Sequence, residues 1–384
     1  MKTEIEVLSP FLPQDLLNDI NDDVSDSISS KSTNTSFKHS SHSNSFNSSS
    51  SFSETRVDAS NLQSPVQCQF SNINITEMLM NYTGSQILQQ QLNTMTHEQT
   101  FSLLMNISQD LPLLMCNSYG NYFLQKLIKN SNSSQRVYIL QSIEHDFVQI
   151  AQNVSGIHCI HCLLDKCSSK EELKLIKNNI KDHLLELSIQ QNSTHFIQKL
   201  IGMCGSRSKY LTKFIISNFC ILCTHLHGAT VLKKYISEIE DNRIKQIIIS
   251  LLEQNFFQMC QNQYANYIIQ YSIEIFGYFN CQSLINKILE NILILSIEKY
   301  SSNVIDKIIV QIHQNNYPQF QQLLSFIFCN PSSFSFLNSS KFGNFVLLNM
   351  LKLVTPNDKM IIRTALLNNK PIWNNQFIKI FNYL

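Results

Sequence analysis

The chain runs to 384 residues, 43% of them hydrophobic, with 29 Lys and Arg against 28 Asp and Glu for a formal net charge of +1. That balance argues against a uniformly basic protein wrapped around a polyanion, and no uninterrupted apolar run approaches the ~20 residues that span a bilayer. Compact single domains rarely reach this length without dividing, whereas a repeat array grows in one dimension because each unit packs only on its neighbours.

In chain order, residues 1–10 contain Glu4 and Glu6 and lack the apolar core of a leader, so a soluble, intracellular protein is expected. Its eleven cysteines then read as reduced, mostly buried thiols. Leu8, Phe11, Leu12, Leu16, Leu17 and Ile20 can share one face of a short helix with Pro13 near its start. That segment is either a partner-docking motif or part of a tail that contacts nothing specific. Over residues 22–60 the composition turns to Ser and Asn, with too little apolar surface to offset the entropy of ordering. Residues 1–60 are therefore expected to be a disordered region. They hold nine acids and four bases, a balance of −5, which leaves +6 on residues 61–384.

Residues 61–384 are expected to form a repeat domain in which each period is two helices. Ser169 and Glu172 fit a capping box, after which Ile176, Ile180, Leu184 and Leu187 recur at helical spacing. One interval earlier Leu140, Ile143, Phe147 and Ile150 make the same stripe, and a second helix carries Phe123, Leu124, Leu127 and Ile128. The period is marked by a small residue: Gly84, Gly120, Gly156, Ser193, Gly228, Ala265, Ser301 and Gly343, five of them drawn from only eight glycines. The residues that follow stand at 85, 121, 157, 194, 229, 266, 302 and 344, at intervals of 36, 36, 37, 35, 37, 36 and 42. Lack of bulk suits a tight helix-to-helix corner, and so regular a period indicates a solenoid. The longer last interval contains the loop signal Asn330-Pro331-Ser332-Ser333. Residues 61–80 and 371–384, the latter with Trp373 and Phe377, are placed to cap the two ends.

After each small residue comes a pair of side chains at i and i+4, which project from one helical face a turn apart, with a flat or polar side chain at i+1. Two polar groups so spaced pair with a planar edge while their neighbour stacks on its face, a geometry suited to reading one unpaired base of single-stranded RNA per repeat. The candidate edge pairs are Ser85 with Gln89, Asn121 with Gln125, Ile157 with His161, Thr194 with Gln198, Ala229 with Lys233, Asn266 with Gln270, Ser302 with Asp306 and Asn344 with Leu348. Stacking would come from Tyr122, His158, His195, Tyr267 and Phe345, with Gln86, Thr230 and Asn303 as weaker platforms. Each aromatic stack is worth ~1–3 kcal/mol. Lys126, Lys199, Lys234 and Lys307 directly follow a second edge residue and are either phosphate contacts or ordinary solvated lysines.

The strings Tyr119-Gly120-Asn121-Tyr122-Phe123-Leu124-Gln125-Lys126, Tyr264-Ala265-Asn266-Tyr267-Ile268-Ile269-Gln270 and Tyr300-Ser301-Ser302-Asn303-Val304-Ile305-Asp306-Lys307 resemble repeats of the Pumilio (PUF) family of RNA-binding proteins. The resemblance extends from about residue 65 to the C-terminus and includes the family's usual eight repeats. It implies an all-α, right-handed α-solenoid, a superhelical crescent of Pumilio-type repeats with terminal caps. The concave face would bind single-stranded RNA antiparallel, repeat 8 taking the 5′ base. By that resemblance Asn344 with Leu348 favours U at the first base, Ser302 with Asp306 G at the second, and Asn266 with Gln270 U at the third. Asn121 with Gln125 and Ser85 with Gln89 read U and A at the seventh and eighth, for a target near 5′-UGU-NNN-UA.

Several positions depart from the pattern. Asp306 is a methylene shorter than the family's Glu, Leu348 cannot hydrogen-bond, and Thr194 with Gln198 is a near miss for uracil. Ile157 with His161 and Ala229 with Lys233 match no reader, so specificity is expected at the two ends of the site.

Cys220-x-x-Cys223 with His225 and His227, and Cys159-x-His161-Cys162, superficially resemble metal ligands but lack a second pair at finger or ribbon spacing. No phosphate-binding glycine loop or nucleophile elbow occurs, so neither a cofactor, a metal nor an enzymatic activity is expected. The resemblance implies binding of mRNA 3′-untranslated regions by a cytoplasmic monomer, with repression of translation or mRNA decay through repressor or deadenylase partners and no membrane partner. One alternative is a nucleolar PUF-like protein binding structured RNA in ribosome assembly. Another is an armadillo- or HEAT-type scaffold, which predicts no polar pairs in register with aromatic residues.

Overall fold

The structure, a computed structural model, describes residues 74–368 and 375–384. The region expected to be disordered, the helix over 8–20, the cap segment 61–73 and Trp373 lie outside the described residues. Among the described residues every regular element is a helix, and the chain folds as an all-α repeat solenoid. No described helix is long and apolar enough to cross a membrane.

The unit is three helices rather than the expected two. The third repeat has a first helix Ser133–Ser142, a short helix Phe147–Gln152 and a third helix Gly156–Lys166. The order recurs as Lys170–Ile180, Leu184–Ile189 and Thr194–Cys204, and as Gln282–Glu290, Ile292–Ser296 and Ser301–Gln314. The stripes Leu140, Ile143, Phe147, Ile150 and Ile176, Ile180, Leu184, Leu187 are buried as expected, but each crosses a break between first and short helix.

The break falls on a short polar residue or histidine ten positions before the small one. Asp110, Asp146, His183, Asn218 and Asn291 leave the helical region with φ between −119° and −97° and ψ between −2° and 19°. Asn218 and Asn291 also turn Nδ2 back onto the carbonyls of Phe214 and Lys287, both at 2.9 Å. Such local bonds compete with the helical ladder and make a bend inexpensive. They permit the bend without forcing it: Asn255 makes the same bond to Leu251 at 3.0 Å, and the helix Asn242–Gln261 runs through.

The small slot has a specific cause. A Cβ on Gly120 or Gly228 would lie 2.7 Å from the carbonyl oxygen of the residue six positions earlier, Leu114 or Leu222, and one on Gly156 or Gly343 would lie 2.5 Å from that of Ile150 or Leu337. The two serines exploit the same approach: Ser193 Oγ donates to the Leu187 carbonyl at 2.8 Å and Ser301 Oγ to that of Leu295 at 2.6 Å. Seven of the eight slots thus hold no side chain or a serine, which in both cases donates to the carbonyl, and the small residue seats the third helix on the short one; the eighth, Ala265, brings a methyl group and follows the unbroken helix Asn242–Gln261.

One apolar cluster runs from Ile75 to Ile380, with Phe123, Leu124, Leu127 and Ile128 fully buried in it. Between repeats 3 and 4, Arg136 Nε meets Glu172 Oε1 at 2.5 Å, the two side chains being 7% and 1% exposed. Ser131, Ser133, Ser168 and Ser169 complete the bonding of that pair, Ser169 and Glu172 forming the expected capping box. At the C-terminal end Phe377 is buried edge-on to Phe334, centroids 5.9 Å apart.

Candidate nucleic-acid interface

The third helices of successive repeats carry all eight triplets: Tyr82–Gln91, Gly120–Asn130, Gly156–Lys166, Thr194–Cys204, Leu226–Ser237, Ala265–Phe276, Ser301–Gln314 and Lys341–Leu353. In six of the eight the start is fixed by a cap three residues before the small one. Asn81, Asn117, Asn153 and Asn262 accept the N–H of Gly84, Gly120, Gly156 and Ala265 at 2.8–3.0 Å, and His225 Nδ1 and Ser340 Oγ serve Gly228 and Gly343 at 3.5 and 3.4 Å. His225, flagged in sequence beside a Cys-x-x-Cys, is thus a helix cap. Among the described residues no group of three or more His, Cys, Asp or Glu side chains is arranged to hold a metal. Burial pushes the Cys159 and Cys223 thiols well above their usual range, away from the thiolate.

Every triplet has the same attitude. The first edge residue is buried in all eight repeats, from Ser85 and Asn121 through Ile157, Thr194, Ala229, Asn266 and Ser302 to Asn344. The adjoining stacking position is exposed in all eight: Gln86, Tyr122, His158, His195, Thr230, Tyr267, Asn303 and Phe345. Tyr122, Tyr267 and Phe345 are 61%, 52% and 49% exposed, which rules out core packing as their role. The second edge residues Gln89, Gln125, His161, Gln198, Lys233, Gln270 and Asp306 are half-buried between the two, and Leu348 is buried.

Three pairs are bonded internally. Gln125 Nε2 donates to Asn121 Oδ1 and Gln270 Nε2 to Asn266 Oδ1, both at 3.0 Å, and Gln89 Nε2 to Ser85 Oγ at 3.1 Å. Asn121 spends its own donors on the carbonyls of Asn117 and Ser118, and Asn266 one of its donors on that of Asn262. The buried Asn is thereby satisfied and holds the Gln amide at the surface, where Oε1 and the second N–H remain for a planar edge.

The other repeats differ. Gln198 reaches across to Thr230 Oγ1 at 3.2 Å, while Thr194 turns its hydroxyl to the Ser188 carbonyl at 3.4 Å. Ile157 and Ala229 join the apolar core and offer no donor. Burial, reinforced by Lys199, lowers the His161 pKa and keeps its ring neutral, edge-on to Phe196. Lys233 sets its ammonium over the rings of Tyr267 and Tyr271, 5.6 and 5.4 Å from their centroids. Asn344 donates to Asn338 Oδ1 at 3.0 Å, with the Leu348 side chain beside it apolar. Burial raises the Asp306 carboxyl against the opposing effects of Asn349 and Lys352, and its Oδ1 is buried without a hydrogen-bond partner.

Of the four lysines considered for phosphates, Lys199, Lys234 and Lys307 pair with Asp165, Glu238 and Glu274, and Lys126 stands half-exposed with no ion pair among the described residues. A contact that spacing did not disclose involves the residue directly after the second edge position. Cys162 lies against Gln125, Tyr271 under Lys233 and Asn349 against Asp306, in each case touching the second edge residue of the preceding repeat.

The family pattern described as the Pumilio-family RNA binding repeat matches residues 74–108, 112–144, 183–209 and 255–289. Those stretches carry Ser85, Asn121, Thr194 and Asn266, and the copies with Ile157 and Ala229 fall between them. The chain is 26% identical to a Pumilio domain-containing protein of Schizosaccharomyces pombe, over 69% of this chain and 39% of that one. It is 27% identical to suppressor protein MPT5 of Saccharomyces cerevisiae over 72% and 33%, and 28% identical to Pumilio homolog 12 of Arabidopsis thaliana over 50% and 33%. The matched part spans between a third and a half of the length of these relatives. Among solved structures, the RNA-binding domain of yeast Puf5p bound to AAT2 RNA superposes with a TM-score of 0.68 at 22% identity, covering 81% of this chain and 96% of that one. The Puf4 RNA-binding domain bound to the HO endonuclease 3′-UTR recognition sequence gives 0.66 at 21%, covering 81% and 98%, so the fold is shared. Eight helical triplets in one register, the matching repeats and this kinship support a Pumilio (PUF) family protein.

Proposed function

We propose that the chain binds single-stranded RNA sequence-specifically, on elements of mRNA 3′-untranslated regions near 5′-UGU-NNN-UA. The observation that carries this reading is the common attitude of all eight triplets: first edge residue buried, stacking residue exposed. A scaffold that bound protein would have no reason to repeat that arrangement at every third helix. Stacking between Tyr267 and Phe345 at one end and at Tyr122 on the other supplies affinity, and the internally bonded amide pairs supply discrimination. Repeats 3 to 5, with Ile157, Thr194 and Ala229 at the first edge, tolerate the central bases. The chain acts by binding, not catalysis, and its regulatory outcome is repression of translation or decay of the bound mRNA in the cytoplasm, through repressor or deadenylase partners.

Selection of the full chain against a randomised single-stranded RNA pool, with sequencing of the retained fraction, tests this. The expected result is enrichment of UGU followed three bases later by UA. Retention without a motif would move the protein to the structured-RNA reading, and no retention would leave the scaffold reading.

A further inference from the structure

Asp306 departs from the family's glutamate by one methylene, and a shorter carboxylate needs help to reach and hold a base edge. The structure provides a relay from the next repeat. Lys352 Nζ donates to Asn349 Oδ1 at 2.8 Å, and Asn349 Nδ2 donates to Asp306 Oδ2 at 2.8 Å. A lysine can only donate and an ionised carboxylate can only accept, so the Asn349 amide has one orientation compatible with both neighbours. The relay occupies Oδ2 and leaves Oδ1, buried and without a partner, as the free acceptor of the carboxylate.

We propose that Asn349, steered by Lys352, is a specificity-determining positioning residue for the second base, fixing the Asp306 carboxylate of repeat 7 from repeat 8 so that it selects guanine. The inference rests on the RNA-binding reading above. Guanine presents two N–H donors on its Watson–Crick edge, which an ionised carboxylate accepts; adenine presents a ring-nitrogen acceptor at the same place, which the carboxylate repels. A carboxylate free to rotate, or neutralised by its surroundings, loses that contrast. Of the charged groups on the helices packed around Asp306, Lys352 acts to keep it ionised, whereas Glu274 is taken by Lys307. The same register recurs in two other repeats: Cys162 and Tyr271 occupy the position of Asn349 in repeats 3 and 6 and touch the second edge residues Gln125 and Lys233. Base choice at one repeat is thus set partly by the sequence of the next.

The test measures affinities of the full chain, wild type, Asn349→Ala and Lys352→Ala, for 5′-UGUAAAUA-3′ and for the same RNA with A at base two, from pH 5 to 8. Asn349→Ala is expected to reduce the guanine-over-adenine preference about tenfold, the scale of one hydrogen bond to a charged group. The preference should decline on acidification in the wild type, because the ionised form reads guanine. Loss of the Asn349 donor disfavours that form, so the midpoint should move to higher pH, with Lys352→Ala shifting it less in the same direction. Discrimination at base seven, served by Asn121 and Gln125, should stay unchanged, which separates positioning from unfolding. If the wild type prefers guanine and both variants keep that preference and its pH midpoint, the inference is overturned while RNA reading stands. Wild-type binding without preference at base two overturns the role of Asp306 and the inference together, and absence of binding to either RNA overturns the RNA-binding reading itself.

Discussion

Replacing Tyr267 by alanine separates binding from folding. The ring is 52% exposed, and the interaction it makes with a charged neighbour is the Lys233 ammonium 5.6 Å from its centroid. A cation–π contact at such a site contributes ~0.5–1 kcal/mol, so the stability of Tyr267→Ala should fall by no more than about 1 kcal/mol. Its neighbour Ile268 is fully buried, and Ile268→Ala should cost ~2–5 kcal/mol through lost burial and the cavity left behind. For RNA the ranking reverses. A lost base stack of ~1–3 kcal/mol weakens binding roughly 5- to 150-fold. Tyr267→Phe keeps the ring and should bind within about twofold of wild type. Fluorescence anisotropy with labelled 5′-UGUAAAUA-3′ gives the affinities and denaturant unfolding the stabilities. The reasoning is refuted if Tyr267→Ala binds like wild type, or if it unfolds as readily as Ile268→Ala.

The small slot predicts that Gly120→Ser is tolerated, since Ser193 and Ser301 already donate to the equivalent carbonyl, whereas Gly120→Val forces apart the third and short helices of repeat 2; thermal melts of both variants check this. Arg136→Met should cost ~3–5 kcal/mol by stranding Glu172 in a buried site, measured by denaturant unfolding at pH 7. Burial pushes the Glu172 carboxyl up, but Arg136 and the serines around it outweigh that and leave its pKa lowered. Its contribution to stability is therefore present above the unfolded value near ~4.3 and lost as pH falls through the folded one, a loss that Arg136→Met should remove from the pH–stability curve. In repeat 5, the triple change Ala229→Asn, Thr230→Tyr, Lys233→Gln rebuilds the triplet of repeat 6 and should turn a tolerant fourth base into a uracil-selective one, read by competition among the four base variants.

The period, the small slot and the triplets were legible because each is a property of single positions recurring at a fixed interval. The three-helix unit was missed although its signal recurs at the same interval: Asp110, Asp146, His183, Asn218, Asn255 and Asn291 each stand ten residues before a small one. An apolar stripe reads as one helix when its spacing survives a bend, as at Ile180 and Leu184, so hydrophobic periodicity alone hides the break. The caps Asn81, Asn117, Asn153 and Asn262 were also visible as Asn-x-x-small. The relay to Asp306 was not, because Asn349 and Asp306 are 43 residues apart and meet only once the turn of the array sets adjacent third helices in register.

Folding and reading make separable demands on the same helix. The slot residue answers to a carbonyl six residues back, and the core residues answer to packing, but the first edge position lies at the boundary, buried in all eight repeats. A polar side chain there must be satisfied internally, as Asn121 is by two backbone carbonyls, or it carries a desolvation cost of ~1–3 kcal/mol. An apolar side chain carries no such cost, and Ile157 and Ala229 simply extend the core. Loss of reading at a repeat is therefore compatible with an intact fold, while its recovery requires both a reader and the bonds that satisfy it. In Ile157→Asn the new amide can use the carbonyls of Asn153 and Val154, the counterparts of those that serve Asn121, so it should fold; without a glutamine in place of His161 to meet it, discrimination at the sixth base should stay low. A marked uracil preference from that single substitution would show that the second edge residue is dispensable and that the paired geometry does not carry the reading.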